Sequence, residues 1–188
     1  MKVGVLALQG AFAAHSSMLS SIDVACTEVR TADQLADLDA LVLPGGESTT
    51  MSMLAERTGI LEPLRAFVAS GRPVLGTCAG VILLATEVLD GRDDQRSLGA
   101  LDLAVRRNAF GRQLASFETD VHVRGLDGPP FHAVCIRAPA VERVGPDVEV
   151  LAEIDGRPAL VRRGAIMGTI FHPELSGDPR VHEMFLGG

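Results

Sequence analysis

Tryptophan and tyrosine are both missing from this 188-residue chain, and apart from histidine its only aromatic side chains are seven phenylalanines. A surface that stacks nucleobases needs aromatic faces set among basic residues, and one that tracks phosphates needs clustered Lys and Arg. Here 17 basic residues are scattered among 24 acidic ones, for a formal charge of −7, so nucleic acid is not an expected partner. No apolar run approaches the roughly 20 residues of a membrane-spanning helix. The apolar part of the opening "MKVGVLALQG" is too brief for a signal peptide and reads as a first strand. Cysteine is scarce too. Three cysteines, odd in number and far apart, argue for reduced thiols in a cytoplasmic protein rather than a disulfide framework, and no histidine or cysteine spacing suggests a metal site.

What is present is apolar: 47% of the residues are hydrophobic, enough for one sizeable core, and 1–188 reads as one domain. "KVGVLAL", "VACTEV", "DALVLPGG" and "PVLG" have strand length and apolar content. "FAAHSSMLSSI", "STTMSMLAERTG", "LEPLRAFVASG" and "AGVILLATEVL" have helical spacing. Strands alternating with helices predict an α/β fold, with a mostly parallel central sheet covered by helices on both faces. From about residue 98 the pieces "LDLAVRRN", "FETDVHV", "PFHAVCIRA", "VEVLAEI", "PALVRR" and "AIMGTIF" read as strands that extend the sheet in antiparallel fashion. "DGRDDQRS" reads as the most solvated loop.

Cys78 lies where the "PVLG" strand gives way to a helix. A buried cysteine is most often a small core hydrophobe, and Cys26 and Cys135, inside strand-like runs, are read that way. Gly76-Thr77-Cys78-Ala79-Gly80 differs because it has the G-x-C-x-G form of a nucleophile elbow, whose small flanking residues let a sharp turn project the reactive atom. A thiol at a helix N-terminus also feels the positive end of the helix dipole, which favours the thiolate.

A thiolate nucleophile needs a base, and histidines stand at 15, 122, 132, 172 and 182. "TIFHPELSG" singles out His172. Pro173 biases it towards an extended conformation, in which Glu174, two residues on, points to the same side and can orient the imidazole. Backbone N–H groups for an oxyanion are expected from Gly46 in "LVLPGGESTT" and from Ala79 after the nucleophile. That glycine pair is not a phosphate loop, since the lysine and the spacing are missing.

In order along the chain, "LALQG", "PGGESTTM", "GTCAG", "RRNAFGRQ", "IRAP" and "FHPEL" resemble the glutaminase subunits of pyridoxal 5'-phosphate synthase, within the triad-type (class I) glutamine amidotransferases. The resemblance runs from residue 2 to about residue 186. It implies a flavodoxin-like, three-layer fold with added antiparallel strands. It also implies hydrolysis of L-glutamine to glutamate and ammonia, with Cys78 as nucleophile, His172 as general base and acid, and Glu174 as the orienting carboxylate. Gly46, Glu47, Ser48, Arg107, Ile136 and Arg137 would contact glutamine, with Arg107 suited to pair with the α-carboxylate through charge-assisted hydrogen bonds. No resident cofactor is implied. The partner would be a synthase subunit that takes up the ammonia to build pyridoxal 5'-phosphate, in a hetero-oligomer. Ala14 stands where the family is usually acidic, and Ser52 and Met53 where a basic residue is common, near the expected partner-facing surface. The final helix, ending in "MFLGG", is expected to be short.

Two other readings use the same residues. One is a glutaminase or γ-glutamyl hydrolase that serves another pathway. The other is a cysteine-elbow protein acting as a redox sensor or chaperone, which needs a peroxide-sensitive Cys78 but no Glu174.

Overall fold

The structure, a computed structural model, describes residues 1–107 and 116–187. Its elements in chain order are β1 (Lys2–Leu6), α1 (Phe12–Ser21), β2 (Ala25–Val29), β3 (Ala40–Leu43), α2 (Ser48–Arg57), α3 (Leu61–Ala69), β4 (Val74–Thr77), α4 (Ala79–Leu84), β5 (Ala85–Val88), β6 (Leu101–Arg106), β7 (Ser116–Val121), β8 (Phe131–Ile136), β9 (Ala140–Val144), β10 (Glu149–Ile154), β11 (Arg157–Arg163), β12 (Ile166–Thr169) and α5 (Arg180–Phe185). Short 3-10 turns occupy Ala32–Leu35 and Pro173–Leu175.

Seven strands form the main sheet in the order β10-β11-β12-β4-β3-β1-β2. The pairs β2/β1, β1/β3, β3/β4 and β4/β12 are parallel, while β12/β11 and β11/β10 are antiparallel. The parallel strands β3, β4 and β12 are buried at every position, as expected of a sheet flanked by helices. On its flanks α1 packs against β1 and β2, and α4 against β3, β4 and β12, with α2 beside α4. The α/β class and the mostly parallel sheet therefore match the sequence pattern.

Three expectations are corrected. "AGVILLATEVL" is not one helix: α4 stops at Leu84, Ala85 turns to an extended conformation (φ −65°, ψ 150°), and Ala85–Val88 is a strand parallel to β6. The β-branched Thr86 and Val88 suit that strand better than a further helical turn. The later strands do not all extend the main sheet, since β5-β6-β9 and β7-β8 form separate small sheets. Within the former, the β9 segment "AVERV" answers to no predicted strand. Cys26 is half-buried at the rim of the core rather than inside it, whereas Cys135 is buried as expected.

The topology locates the crevice. Read outward from β1, the chain first goes to β2 on one side and then to β3, β4 and β12 on the other. In open α/β sheets ligands bind beyond the carboxyl ends of the strands at such a reversal. At this edge the segments after β1 and β3 touch: Ala11 N–H donates to the Gly45 carbonyl (3.0 Å) and Glu47 N–H to Gln9 Oε1 (2.8 Å). Gly10 is glycine for a steric reason. Its φ is +99°, and a Cβ there would overlap the Gly45 carbonyl.

Candidate active site

Cys78 sits between β4 and α4 with φ 49° and ψ −102°, a positive φ that side chains other than glycine rarely adopt. The turn is held open from both sides. Cys78 N–H donates to the Thr169 carbonyl on β12 (2.8 Å), and Gly80 packs so closely on the Leu43 backbone that a Cβ would collide with it. This is the strained strand-to-helix turn that G-x-C-x-G predicts. Among the described residues no side chain caps α4, and the N–H groups of its first turn, Ala79 included, have no intrahelical partner.

His172 follows β12. Its N–H is anchored to the Val134 carbonyl (2.8 Å), and its Nδ1 stands 2.7 Å from Glu174 Oε1. The pair meets as expected, but through a different backbone: Pro173–Leu175 is a 3-10 turn that begins at His172, not a continued extended segment. Both side chains are buried. Burial by itself would push the imidazole down, yet the hydrogen bonds and negative charge of Cys78 and Glu174 outweigh it and raise the pKa to about 10. Burial likewise works against the Glu174 carboxylate, but the His172 hydrogen bond and the neighbouring His15 and His172 rings hold it below its ordinary value. At neutral pH the site therefore carries an imidazolium between the Cys78 sulfur and the Glu174 carboxylate. Cys78 Sγ also lies 3.9 Å from the Ile136 carbonyl.

A cleft of about 320 Å³ opens at this edge. Cys78 and His172 line it, as do all six expected glutamine contacts: Gly46, Glu47, Ser48, Arg107, Ile136 and Arg137. Glu174 stands behind His172. Arg107 Nη1 donates to Thr49 Oγ1 (2.6 Å) and Gln95 Oε1 (2.9 Å), while its Nη2 lies 3.7 Å from Glu47. Among the described residues the guanidinium thus donates to two neutral oxygens and forms a longer ion pair with Glu47. The Glu47 carboxylate caps α2, accepting from Thr49 N–H (3.1 Å) and Thr50 N–H (2.6 Å). Arg137 has a positive φ of 47°, a second strained non-glycine residue at the cleft wall. The rest of the "RRNAFGRQ" motif, residues 108–113, lies outside the described residues.

Sequence reasoning missed several participants. Gly45 is one: a Cβ there would run into His172 Cε1 and approach Cys78. Gln95, in the loop read as solvated, joins Arg107 to Ser48 by donating from Nε2 to Ser48 Oγ (3.2 Å). Its type and spacing carry no signal, because its partners lie on other elements. His15 and His182, buried behind Glu174, are equally silent in the sequence.

Known proteins share this architecture. A structure described as a glutamine amidotransferase superposes with a TM-score of 0.93 at 48% identity, covering 98% of this chain and 97% of that one. The structure of PurLQS from Thermotoga maritima, at 19% identity and a TM-score of 0.72 over 99% of this chain and 97% of that one, shares the fold. Among curated proteins, the pyridoxal 5'-phosphate synthase subunit PdxT of Frankia alni is 55% identical over 98% of this chain and 93% of its own length. That of Herpetosiphon aurantiacus is 53% identical over the full length of both. The model of the SNO glutamine amidotransferase family matches residues 5–187, and with a thiol, imidazole and carboxylate gathered at the carboxyl edge of its sheet, this chain belongs to that family.

Proposed function

We propose that this chain, as one glutamine amidotransferase domain over residues 1–188, hydrolyses L-glutamine to L-glutamate and ammonia and passes the ammonia to a synthase subunit that makes pyridoxal 5'-phosphate in the cytoplasm. The observation that carries the reading is the Cys78-His172-Glu174 arrangement opening into one cleft with Arg107. It is supported by the full-length similarity to PdxT subunits.

In the mechanism, Arg107 holds the substrate α-carboxylate and the cleft wall at Gly46, Glu47, Ser48, Ile136 and Arg137 aligns the side-chain amide over Cys78. The thiolate adds to the amide carbon. The oxygen that gains charge is met by the N–H groups of Gly46 and Ala79. His172, protonated at neutral pH, gives its proton to the departing nitrogen, and ammonia leaves behind a γ-glutamyl thioester. The now neutral imidazole takes a proton from water, hydroxide adds to the thioester, and expulsion of the thiolate restores the Cys78–His172 pair with release of glutamate. Glu174 keeps the ring oriented and favours its charged form without exchanging protons itself.

The test is ammonia release from glutamine by the full chain, with and without the synthase subunit, against Cys78→Ala. Wild-type turnover that Cys78→Ala abolishes supports the reading, with a diazo-ketone glutamine analogue labelling Cys78 and sparing Cys26 and Cys135. Burial pushes the Cys135 thiol up to about 12, so that thiol stays inert. Undiminished ammonia release by Cys78→Ala overturns the assignment.

A further inference from the structure

Behind Glu174 the structure holds two histidines that the reaction above does not use. His15 of α1 and His182 of α5 are both completely buried. His15 Nδ1 lies 2.9 Å from His182 Nε2, while His15 Nε2 lies 3.1 Å from Thr77 Oγ1 and 3.3 Å from Glu174 Oε2. Glu174 thus has His172 on its Oε1 side and His15 on its Oε2 side. Thr77, adjacent to Cys78, closes the group. Burial lowers His15 to about 4 and His182 to about 3, so at neutral pH each ring carries one proton, and the question is on which nitrogen.

Two arrangements are possible, and the surroundings separate them. If Thr77 donated to His15 Nε2, that nitrogen would turn a lone pair towards the Glu174 carboxylate at 3.3 Å, which is repulsive. His15 Nδ1–H would then donate to His182 Nε2, leaving the proton on His182 Nδ1, a buried atom with no hydrogen-bond partner among the described residues. A buried N–H left unpaired is costly. In the opposite arrangement His182 Nε2–H donates to His15 Nδ1, and His15 Nε2–H donates to Thr77 Oγ1 with the carboxylate alongside at 3.3 Å. The partnerless His182 Nδ1 is then only a lone pair, and an N–H dipole points at the anion. The contact with Glu174 lies off the line of an ideal hydrogen bond, so it acts chiefly through that dipole.

We propose that His182 and His15 are positioning residues for glutamine hydrolysis: a directed pair of N–H groups, His182 Nε2–H to His15 Nδ1 and His15 Nε2–H towards Glu174 Oε2, keeps the carboxylate ionised and turned to His172. This rests on the glutaminase reading of the same site. Partners standing one step behind a reacting group act by fixing its orientation and basicity. The short final helix thereby contributes to the site: α5 brings His182 to the side of His15 away from the cleft.

The test has a structural and a kinetic arm. Histidine ¹⁵N NMR of the full chain at neutral pH should show His15 and His182 as Nε2–H tautomers, and an Nδ1–H tautomer at His15 overturns the proposal without any variant. With the synthase subunit present, His15→Leu should lower kcat for glutamine by about 10- to 100-fold with little change in KM, by analogy with other second-layer hydrogen-bond partners. His15→Gln, whose amide N–H can reach the place of Nε2–H, should recover most of the loss. A folded His15→Leu with wild-type kcat, or a His15→Gln as impaired as His15→Leu, overturns the proposal. If His15→Leu does not fold, His15→Gln and the tautomers decide. A wild-type chain that releases no ammonia would instead defeat the glutaminase reading, and the tautomer measurement would stand apart from it.

Discussion

Two strand-to-helix connections meet at the cleft, and they solve the same local problem in opposite ways. Between β3 and α2 the chain runs through Gly45 and Gly46, and the Glu47 carboxylate caps the helix by accepting from Thr49 and Thr50. Between β4 and α4 it runs through Cys78 with a positive φ, and among the described residues no side chain caps the helix. A capped helix start is relaxed and its N–H groups are occupied. An uncapped one beside a strained thiol keeps donors free for a charge that appears during a reaction. In the proposed mechanism the first connection holds the ligand and the second changes it.

Breaking the second connection should have the larger effect. Glu174→Gln keeps the shape behind the elbow but removes the charge that steadies His172, so kcat should fall by about 10² to 10⁴ with KM nearly unchanged. Steady-state kinetics giving an unaltered kcat would reduce the His-Pro-Glu turn to a structural feature. Gly45→Ala attacks the junction of the two connections, because the new Cβ would push against His172 Cε1. A displacement of about 1 Å in a reacting group can cost about 10² in rate, so kcat should drop by that order while the fold persists. A fully active Gly45→Ala would mean that the ring yields freely.

Glu47→Ala tests the capped connection. Loss of an N-cap should lower stability by about 1 kcal/mol in denaturant unfolding, with little effect on the alkylation of Cys78. If alkylation slowed as much as in Glu174→Gln, the division of labour between the two connections would fail.

The sharpest contrast is in pH. Glu47 is held below its usual value because hydrogen bonds from Thr50 and Thr49 outweigh its partial burial. Its contribution to stability is therefore complete above the ordinary carboxylate pKa and is lost as pH falls through the depressed one. His172 is raised to about 10. Its contribution is complete below about 6.5 and is lost as pH rises towards 10. Melting temperatures of wild type, Glu47→Gln and His172→Gln across pH should show the first variant differing from wild type mainly on the neutral side of the acid limb. The second should differ mainly from acid to neutral pH, with the gap closing towards pH 10. Parallel curves would refute both assignments.

The sequence determined much of this by itself. The buried parallel strands were legible because they are continuous apolar runs, and the helices between them because apolar residues recur at helical spacing. Cys78 and His172 were legible because each is flanked by residues with strong local backbone preferences, glycine in one case and proline in the other. Where two local signals compete, the pattern misleads: apolar continuity carried "AGVILLATEVL" past Leu84, whereas pairing with β6 ends the helix there. Only the tertiary structure decided how the second half divides among three sheets, and that Gln95 bridges Arg107 and Ser48. It alone brought His182 to His15 across 167 residues of sequence, with Glu174 on the other side of that ring. The reason is physical. Backbone preferences and hydrophobic periodicity are properties of neighbours along the chain. The partner of a buried histidine is set by which elements the sheet order stacks together, and no short window of residues contains that information.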